Sequence, residues 1–225
     1  MSTQRLLAAR VVGAIWAVLA DADAQARPDQ YVHYPGALDP DWVQRLPVPI
    51  GEAQPPGASV ALLEKGKDAE FERPPTPSAL HAAYRARPRT RVHEDIGRDD
   101  PDAWYSVAAG HLGRMAACDL AVTASLFCSR AGDVTFGAHV DAWVGVILQL
   151  RGAKIWEIGE ALLGGDGPVA VVMTRPGDVL LIPKYMPHQV DTPRDPGTSL
   201  HLAFAVHRDP GPTDAGQLAG AAARR

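Results

Sequence analysis

Cysteine is scarce in this sequence. Only Cys118 and Cys128 occur among its 225 residues, and no CxxC pair is present. A disulfide framework requires more cysteines than this, and a thiolate zinc site requires closely spaced pairs. The sequence therefore argues against both, and we expect two buried free thiols in a protein of the reducing cytoplasm.

An excess of basic residues is also lacking. The 22 lysines and arginines face 26 aspartates and glutamates, which gives a formal net charge of −4. Nucleic-acid-binding domains normally carry a basic patch or stripe. The one basic run, Arg85–Arg91, is followed directly by acidic residues, and we interpret it as a solvated loop. We therefore expect no nucleic-acid partner.

Long apolar runs are absent as well. The run Val11–Ala20 follows Arg5 and Arg10 and precedes small residues, as a secretory signal does, but it is too short to span a bilayer. Apolar residues in and around it recur on one helical face, and they are Leu7, Val11, Ala14, Ile15, Val18 and Leu19. This pattern favours an amphipathic helix at Arg5–Gln25 that packs on the rest of the protein. A cleaved signal is the alternative, and we expect no membrane association.

Turn-forming residues, by contrast, are abundant, with 21 glycines and 20 prolines. From Asp119 onward they separate short β-like segments, namely LAVTASLFCS, WVGVILQLRG, KIWEIG, VAVVMT, DVLLIP and SLHLAFAVH. Several short strands at close, regular spacing indicate an antiparallel sandwich or barrel. The sequence therefore predicts a mainly β fold with helices before it.

Three regions follow from this change of pattern. Residues 1–118 are predicted to be helices and loops that flank the barrel and form the substrate entrance, residues 119–208 the barrel core, and residues 209–225 a disordered tail. In the first region we expect four helices and one early strand: Arg5–Gln25, a short helix carrying Trp42 and Leu46 that Asp39 or Asp41 caps, a helix with Ser78 near its start, a helix following Pro101, and a strand at Ser59–Leu63.

The segment FGAHVDAW places His139 and Asp141 at positions i and i+2. On a strand, alternate side chains point to the same face, so an imidazole and a carboxylate can occupy adjacent sites on one metal ion. The third ligand that we expect is His188, at the start of a strand after a proline-rich turn. Two histidines and one carboxylate on a single face form the triad of iron(II) oxygenases, which leaves positions open for co-substrate and oxygen.

The other histidines carry less information. Five of them show no ligand spacing and are interpreted as structural or exposed: His33, His81, His93, His111 and His207. His201 alternates with Ser199 and Ala203, so it is either a co-substrate or substrate contact in the barrel interior or a plain core or exterior histidine. No nucleophile elbow, Walker loop or dinucleotide fingerprint is present in the sequence.

Two segments, FGAHVDAWVGVILQLRGAKIWEIG and RPGDVLLIPKYMPHQVDT, resemble the core of the JmjC-type cupin oxygenases. That family has an HxD pair, a strand ending in a QxxGxK turn, and then PGDxLxIPxxxxH. The matching residues here are His139, Asp141, Gln149, Gly152, Lys154, Pro176, Gly177, Asp178, Ile182, Pro183 and His188. The resemblance covers roughly residues 119–207 and implies a double-stranded β-helix, the jelly-roll or cupin barrel.

The resemblance also implies the cofactors. In the family, iron(II) is held by the residues that match His139, Asp141 and His188, and a lysine at the position of Lys154 binds the distal carboxylate of 2-oxoglutarate. A cation inside an apolar barrel is costly unless it is paired, which a dicarboxylate explains. The alternative is that Lys154 belongs to a surface hairpin, QLRGAK, and extends into solvent.

The chain departs from the family pattern at several places. Gly145 and Ala203 occupy positions where many relatives carry asparagine, and Phe136 stands where the hydroxyl before the HxD pair is usual. Thr135, one residue earlier, is then the candidate co-substrate contact, together with His201. Thr123 and Ser125 are further polar groups on strands that fit such a role.

The activity implied is that of an iron(II)- and 2-oxoglutarate-dependent dioxygenase, which hydroxylates a peptide or protein side chain or a small metabolite. The chain is also compatible with a homodimer. Two other interpretations stay open, a cupin dioxygenase, isomerase or lyase that does not use 2-oxoglutarate, and a ligand-sensing cupin that has lost its metal. The orientation of Lys154 distinguishes the first of these from the 2-oxoglutarate enzyme.

Overall fold

The computed structural model describes residues 2–24, 30–49, 59–63, 71–98, 100–116 and 121–207. Cys118 and the predicted tail at 209–225 lie outside this range. The elements in chain order are α1 (Thr3–Ala24), β1 (Val32–Tyr34), α2 (Pro40–Gln44), β2 (Ser59–Leu63), β3 (Phe71–Glu72), α3 (Pro77–Ala86), β4 (Arg91–Glu94), α4 (Trp104–Met115), β5 (Thr123–Arg130), β6 (Val144–Gly152), β7 (Lys154–Ile158), a 3-10 turn (Glu160–Leu163), β8 (Ala170–Thr174), β9 (Val179–Ile182), β10 (His188–Asp191) and β11 (Thr198–Val206).

The four predicted helices are all present, and side-chain caps start two of them. The Asp39 carboxylate accepts a hydrogen bond from the Trp42 N–H at 2.7 Å, which starts α2. At α3 the Thr76 hydroxyl accepts from the Ala79 N–H at 3.1 Å, and Pro77 occupies the first turn, where its missing N–H costs nothing.

Helix α1 packs against α4 through one apolar face. Val11, Ile15, Val18 and Leu19 are all buried in the main core, as the helical periodicity predicts. By length and composition alone, the window Thr3–Ala20 also passes as a membrane span, with a mean hydropathy of 1.3, and 33% of it is buried inside the protein. A core helix and a signal sequence pass that same test, and the packing on α4 supports the interpretation as an amphipathic core helix.

The strands form two antiparallel sheets. The larger one has the order β1-β9-β6-β11-β5-β4-β2-β3, and the smaller one the order β10-β7-β8. Helices α1 and α4 cover one face of the larger sheet, and the smaller sheet faces the other. The fold is therefore mainly β with N-terminal helices, a double-stranded β-helix of the cupin kind, as the resemblance implies.

The first region contributes more strands than its sequence indicates. Besides the expected Ser59–Leu63, three short strands, β1, β3 and β4, join the larger sheet, and β4 pairs directly with β5. Strands of two to four residues are too short for a period of two to be visible in the sequence. The description of residues 1–118 as helices and loops is thus incomplete, since the sheet crosses the boundary predicted after residue 118.

The larger sheet is buried on both faces, and its central strands divide their side chains between two cores. On β6, Val146 and Leu148 pack toward the helices, whereas Ile147 packs with Leu180 and Trp156 in the space between the sheets. This second space is the barrel interior. Its walls come from alternate residues of β5, β6, β7, β9, β10 and β11.

The chain passes from one sheet to the other between β6 and β7. Gly152 makes this corner with a φ of +66°, and a Cβ placed on it would lie 1.9 Å from the Thr198 carbonyl oxygen. Only glycine fits both the conformation and the close approach. The QLRGAK segment is consequently not a surface hairpin, and Lys154, the first residue of β7, enters the barrel instead of solvent.

We expect Gly152→Ala to lower the free energy of unfolding by at least about 3 kcal/mol, because the added methyl group collides with backbone. Gly132→Ala is the matched control, since Gly132 has a φ of +82° with open space around its Cβ position. It should cost only about 1–2 kcal/mol, the strain of a left-handed alanine. Chemical denaturation measures both variants, and equal losses would contradict the close approach at the corner.

Candidate metal centre

The HxD segment is held against the start of β10 by backbone hydrogen bonds. His139 and His188 form an isolated antiparallel bridge, with N···O distances of 3.0 Å and 2.9 Å between them. The Tyr185 N–H donates to the Asp141 carbonyl at 2.8 Å. The expectation of a regular strand through His139 and Asp141 is wrong, because the positive φ of Gly137 and the bend at residues 142–143 limit the extended stretch to a few residues. The expected proximity of the two side chains is nevertheless present.

The structure brings together the three side chains that the sequence singles out as metal ligands. One potential ligand atom from each of His139, Asp141 and His188 lies within 4.8 Å of the other two. His188 Nε2 is 3.6 Å from an Asp141 carboxylate oxygen, and the two imidazole rings are 4.3 Å apart between centroids. This spacing matches three ligands converging on one ion bound at about 2.0–2.2 Å from each.

Each imidazole is oriented by its own backbone. His139 Nδ1 lies 2.9 Å from the Gly137 carbonyl oxygen, and His188 Nδ1 lies 2.9 Å from the Met186 carbonyl oxygen. Since a carbonyl only accepts, Nδ1 carries the proton in both rings and Nε2 keeps its lone pair for a metal. Burial, followed by the neighbouring His139, lowers the pKa of His188, which favours the neutral form that metal binding requires.

Lys154 lies in the barrel interior with 1% of its surface exposed. Its ammonium donates to the Thr192 hydroxyl at 3.0 Å, and that hydroxyl is 2.7 Å from the Ser129 hydroxyl. Within the described part of the chain, no carboxylate oxygen lies within 4.0 Å of the ammonium. Burial lowers the pKa of Lys154 to about 8, although the charges of Asp191 and Asp133 act in the opposite direction. The barrel therefore contains a cation without a counter-ion in contact.

Strand registers arrange the interior side chains in layers between the metal ligands and Lys154. At the mouth, His188 is opposite Ile158 across β10 and β7. The next layer contains Val190 opposite Trp156 on those strands and His201 opposite Phe127 on β11 and β5, and the rings of Trp156 and His201 contact each other at 5.5 Å. The innermost layer contains Lys154, Thr192, Ser129 and Ser199. Successive layers are about 6.7 Å apart along the strands.

A hydrogen-bonded network fixes the wall of this pocket. Gln149, fully buried, accepts from the Thr174 hydroxyl at 3.0 Å and donates to the Ser199 hydroxyl at 2.9 Å. The Trp156 indole N–H donates to the same Thr174 hydroxyl at 3.1 Å. The network holds the Trp156 ring between the innermost layer and His188, whose ring centroid is 6.3 Å away.

The structure separates the two predicted co-substrate contacts. His201 faces the barrel interior, which is one of the two placements that the sequence allows. Thr135 lies half-buried on the loop before His139, and the ring that packs against His139, at 5.3 Å, is that of the neighbouring Phe136.

Sequence reasoning missed Thr192 and Ser129, which contact each other beside the Lys154 ammonium. The available signal was alternation, since Thr192 continues the series of His188 and Val190, and Ser129 follows Ser125 and Phe127 at the same spacing. Which strands face each other across the barrel was not visible in the sequence.

Asp178 of the PGD motif has a structural role. Its carboxylate accepts from the Gly36 N–H at 2.8 Å and from the Arg175 N–H at 2.9 Å, and it lies 3.0 Å from His33 Nε2. These bonds fasten β1 and the loop after it to the turn before β9. The motif thus aligns the strand that precedes His188.

We expect Lys154→Met to stabilise the ligand-free protein, because it removes a buried charge without a counter-ion. Below pH 8 the gain in free energy of unfolding should be about 3 kcal/mol at most, from the difference between the ordinary pKa of 10.5 and about 8. Between pH 8 and 10.5 the gain should vanish, because the native wild-type protein sheds the proton while its unfolded chain keeps it. Thermal unfolding against pH measures this.

Lys184→Met is the control, since Lys184 is only half-buried. If the midpoint of thermal unfolding at pH 7 is lower for Lys154→Met than for the wild-type protein, Lys154 is not an uncompensated buried cation.

Residues 108–211 match the family model described as the JmjC domain. This stretch contains all three potential metal ligands and Lys154. No curated protein matches the chain in sequence.

Among solved structures, the chain is similar to YcfD, a ribosomal oxygenase from Escherichia coli. Against YcfD with cobalt and succinic acid the TM-score is 0.58 at 16% identity, covering 87% of this chain and 52% of that one. Against YcfD with cobalt and 2-oxoglutarate it is 0.57 at 17% identity, covering 88% and 54%. The chain thus spans about half the length of these proteins, and the likeness concerns the fold. Residues 108–211, somewhat less than half of the chain, are thus similar to the JmjC domain, and this stretch contains the cluster of His139, Asp141 and His188.

Proposed function

We propose that the protein is an iron(II)- and 2-oxoglutarate-dependent dioxygenase that hydroxylates a peptide or protein side chain or a small metabolite. The observation that carries the proposal is the position of the Lys154 ammonium, two layers beneath three converging potential metal ligands and without a counter-ion in contact. A molecule that chelates a metal at one end and carries a carboxylate at the other satisfies both features.

The donor set fits iron(II). Two neutral imidazoles and one carboxylate on one side of an ion leave several coordination positions open, as in the 2-His-1-carboxylate oxygenases. The hydrogen bonds from both Nδ1 atoms to backbone carbonyls fix the ring orientations and increase the basicity of Nε2. Asp141 lies at the mouth of the barrel with 25% of its side chain exposed, and its carboxylate would supply the third ligand.

The interior fits 2-oxoglutarate. Lys154 and the Thr192 hydroxyl offer a charge-assisted pair of donors to its distal carboxylate, and the apolar faces of Trp156 and Phe127 line the path between the two ends. When bound, iron(II) and 2-oxoglutarate would supply the chemistry that uses dioxygen: one oxygen atom would enter succinate as 2-oxoglutarate loses carbon dioxide, and the other would enter the hydroxylated substrate. The protein's part is to orient the co-substrate and to exclude water from the path. Thr135 remains a candidate contact at the mouth.

The interior position of Lys154 counts against a cupin metalloenzyme that does not use 2-oxoglutarate, because that interpretation gives no role to a buried cation. The complete set of three potential metal ligands counts against a ligand-sensing cupin without metal. That YcfD is a ribosomal oxygenase supports keeping protein side chains among the candidate substrates. We place the activity in the cytoplasm, which suits the free buried thiol of Cys128.

The proposal predicts an anaerobic spectrum. Purified protein that has received iron(II) should show a weak, broad visible charge-transfer band only after 2-oxoglutarate is added, since the band requires both on one site. Asp141→Ala should weaken iron binding by at least about 100-fold, because the loss of even an outer partner of a metal ligand costs 10- to 100-fold. Lys154→Met should bind iron normally and give no band at the same 2-oxoglutarate concentration.

Asp166→Ala, which changes an exposed aspartate in a loop, is the matched control and should behave as the wild-type protein. Stoichiometric iron binding without a band would overturn the 2-oxoglutarate assignment and favour the cupin enzyme that works without it. Normal succinate formation by Asp141→Ala would overturn the assignment of the metal ligands.

A further inference from the structure

His201 is a buried imidazole without a hydrogen-bond partner among the described residues. It is 3% exposed, neither of its ring nitrogens has a hydrogen bond to any residue that the structure describes, and Nδ1 is sealed from solvent. A buried polar group left unpaired costs about 1–3 kcal/mol, and native proteins retain few such groups. His93 on β4 is also buried with both ring nitrogens unpaired, so the missing hydrogen bond alone does not indicate a ligand, and the position of His201 has to carry the argument.

The position of the ring identifies the ligand that can reach it. His201 lies in the layer between the metal ligands and Lys154, with Phe127, Val190 and Trp156 around it. Phe127 and Val190 are apolar, and the Trp156 N–H already donates to the Thr174 hydroxyl, so none of the three offers the imidazole a hydrogen bond. Any molecule that extends from the metal to the Lys154 ammonium must therefore pass His201.

We infer that His201 donates its Nε2–H to the same carboxylate of 2-oxoglutarate that Lys154 binds, and thereby selects keto acids with a second carboxylate. The inference rests on the proposed function. Since Nδ1 is sealed, Nε2 is the ring nitrogen that a ligand can reach. The distal carboxylate then has three donors, the Lys154 ammonium, the Thr192 hydroxyl and the His201 N–H.

The charge balance of the pocket supports this role. Burial lowers the pKa of His201 well below its ordinary value, and the charge of Lys154 lowers it further, so the ring is neutral at physiological pH. A second buried cation would repel Lys154, whereas a neutral N–H adds a hydrogen bond without that cost. One carboxylate charge then meets one ammonium charge.

The ring is also held in place before any ligand binds. It stacks on Phe127 with a centroid distance of 4.8 Å and an interplanar angle of 7°, and the Trp156 ring meets it at 68°. Trp156 is in turn fixed through Thr174 and Gln149. A donor that is already oriented loses little conformational entropy on binding, so its contribution to affinity is large.

The test compares the binding of two keto acids by the wild-type protein and by three variants. Under anaerobic conditions, protein with iron(II) is titrated with 2-oxoglutarate or with 2-oxobutyrate, which has the same keto-acid end and no distal carboxylate. His201→Phe keeps an aromatic ring on Phe127 and removes the N–H. It should weaken 2-oxoglutarate binding by about 10- to 100-fold, the loss of one hydrogen bond to a charged group. Binding of 2-oxobutyrate and of iron alone should stay within about twofold.

His201→Gln should recover part of the affinity for 2-oxoglutarate, because its amide offers an N–H at a similar reach. His111→Phe, the same substitution at an exposed histidine on α4, should change neither titration. Unchanged 2-oxoglutarate binding by His201→Phe would overturn the inference, and so would equal losses for both keto acids, which indicate an effect on the metal end or on the fold.

These outcomes differ from a failure of the proposed function. If the wild-type protein with iron(II) gives no band with 2-oxoglutarate, the proposed function fails and this inference fails with it. If the wild-type protein gives the band and His201→Phe matches it at every concentration, only the inference fails.

Discussion

Two backbone hydrogen bonds between His139 and His188 determine the geometry of this site. The two residues are far apart in the chain, yet each N–H meets the carbonyl of the other at about 3 Å. This bridge adds the HxD segment to the edge of the smaller sheet and puts both imidazoles on the same side of it. Because Asp141 is two residues further along, its carboxylate joins them without a change of backbone direction. A single pairing thus assembles all three potential metal ligands.

The barrel interior contains polar groups around Lys154, and burying such groups lowers the stability of the ligand-free protein. The Gln149, Thr174 and Trp156 network satisfies its own hydrogen bonds and serves as a rigid wall. Among the described residues, in contrast, the Lys154 ammonium has no counter-ion in contact and the His201 imidazole has no hydrogen-bond partner. Groups of this kind lower the stability of a ligand-free protein. The two groups lie in the same interior, where a ligand with a carboxylate would offer the ammonium a counter-ion and the imidazole an acceptor.

The rest of the fold contains a separate apolar core that offsets this loss of stability. Helices α1 and α4 pack on the outer face of the larger sheet, so its central strands are apolar on that side and keep a separate core. That core contains residues such as Trp104, Leu148 and Phe204, all fully buried. The apolar burial between helices and sheet therefore does not depend on the space between the sheets, which holds the polar groups of the candidate site.

Alternation, capping and the HxD spacing are local features, so the strands of the second half, the helices of the first and the pair of His139 and Asp141 could be predicted from the sequence. The tertiary structure alone decided three things. It recruited β1, β3 and β4 into the larger sheet, which strands of two to four residues do not reveal. It turned the chain at Gly152, so that Lys154 points inward. It placed Thr192, Ser129 and His201 beside the Lys154 pocket, because contacts across a barrel depend on which strands face each other, and local sequence periodicity does not encode that pairing.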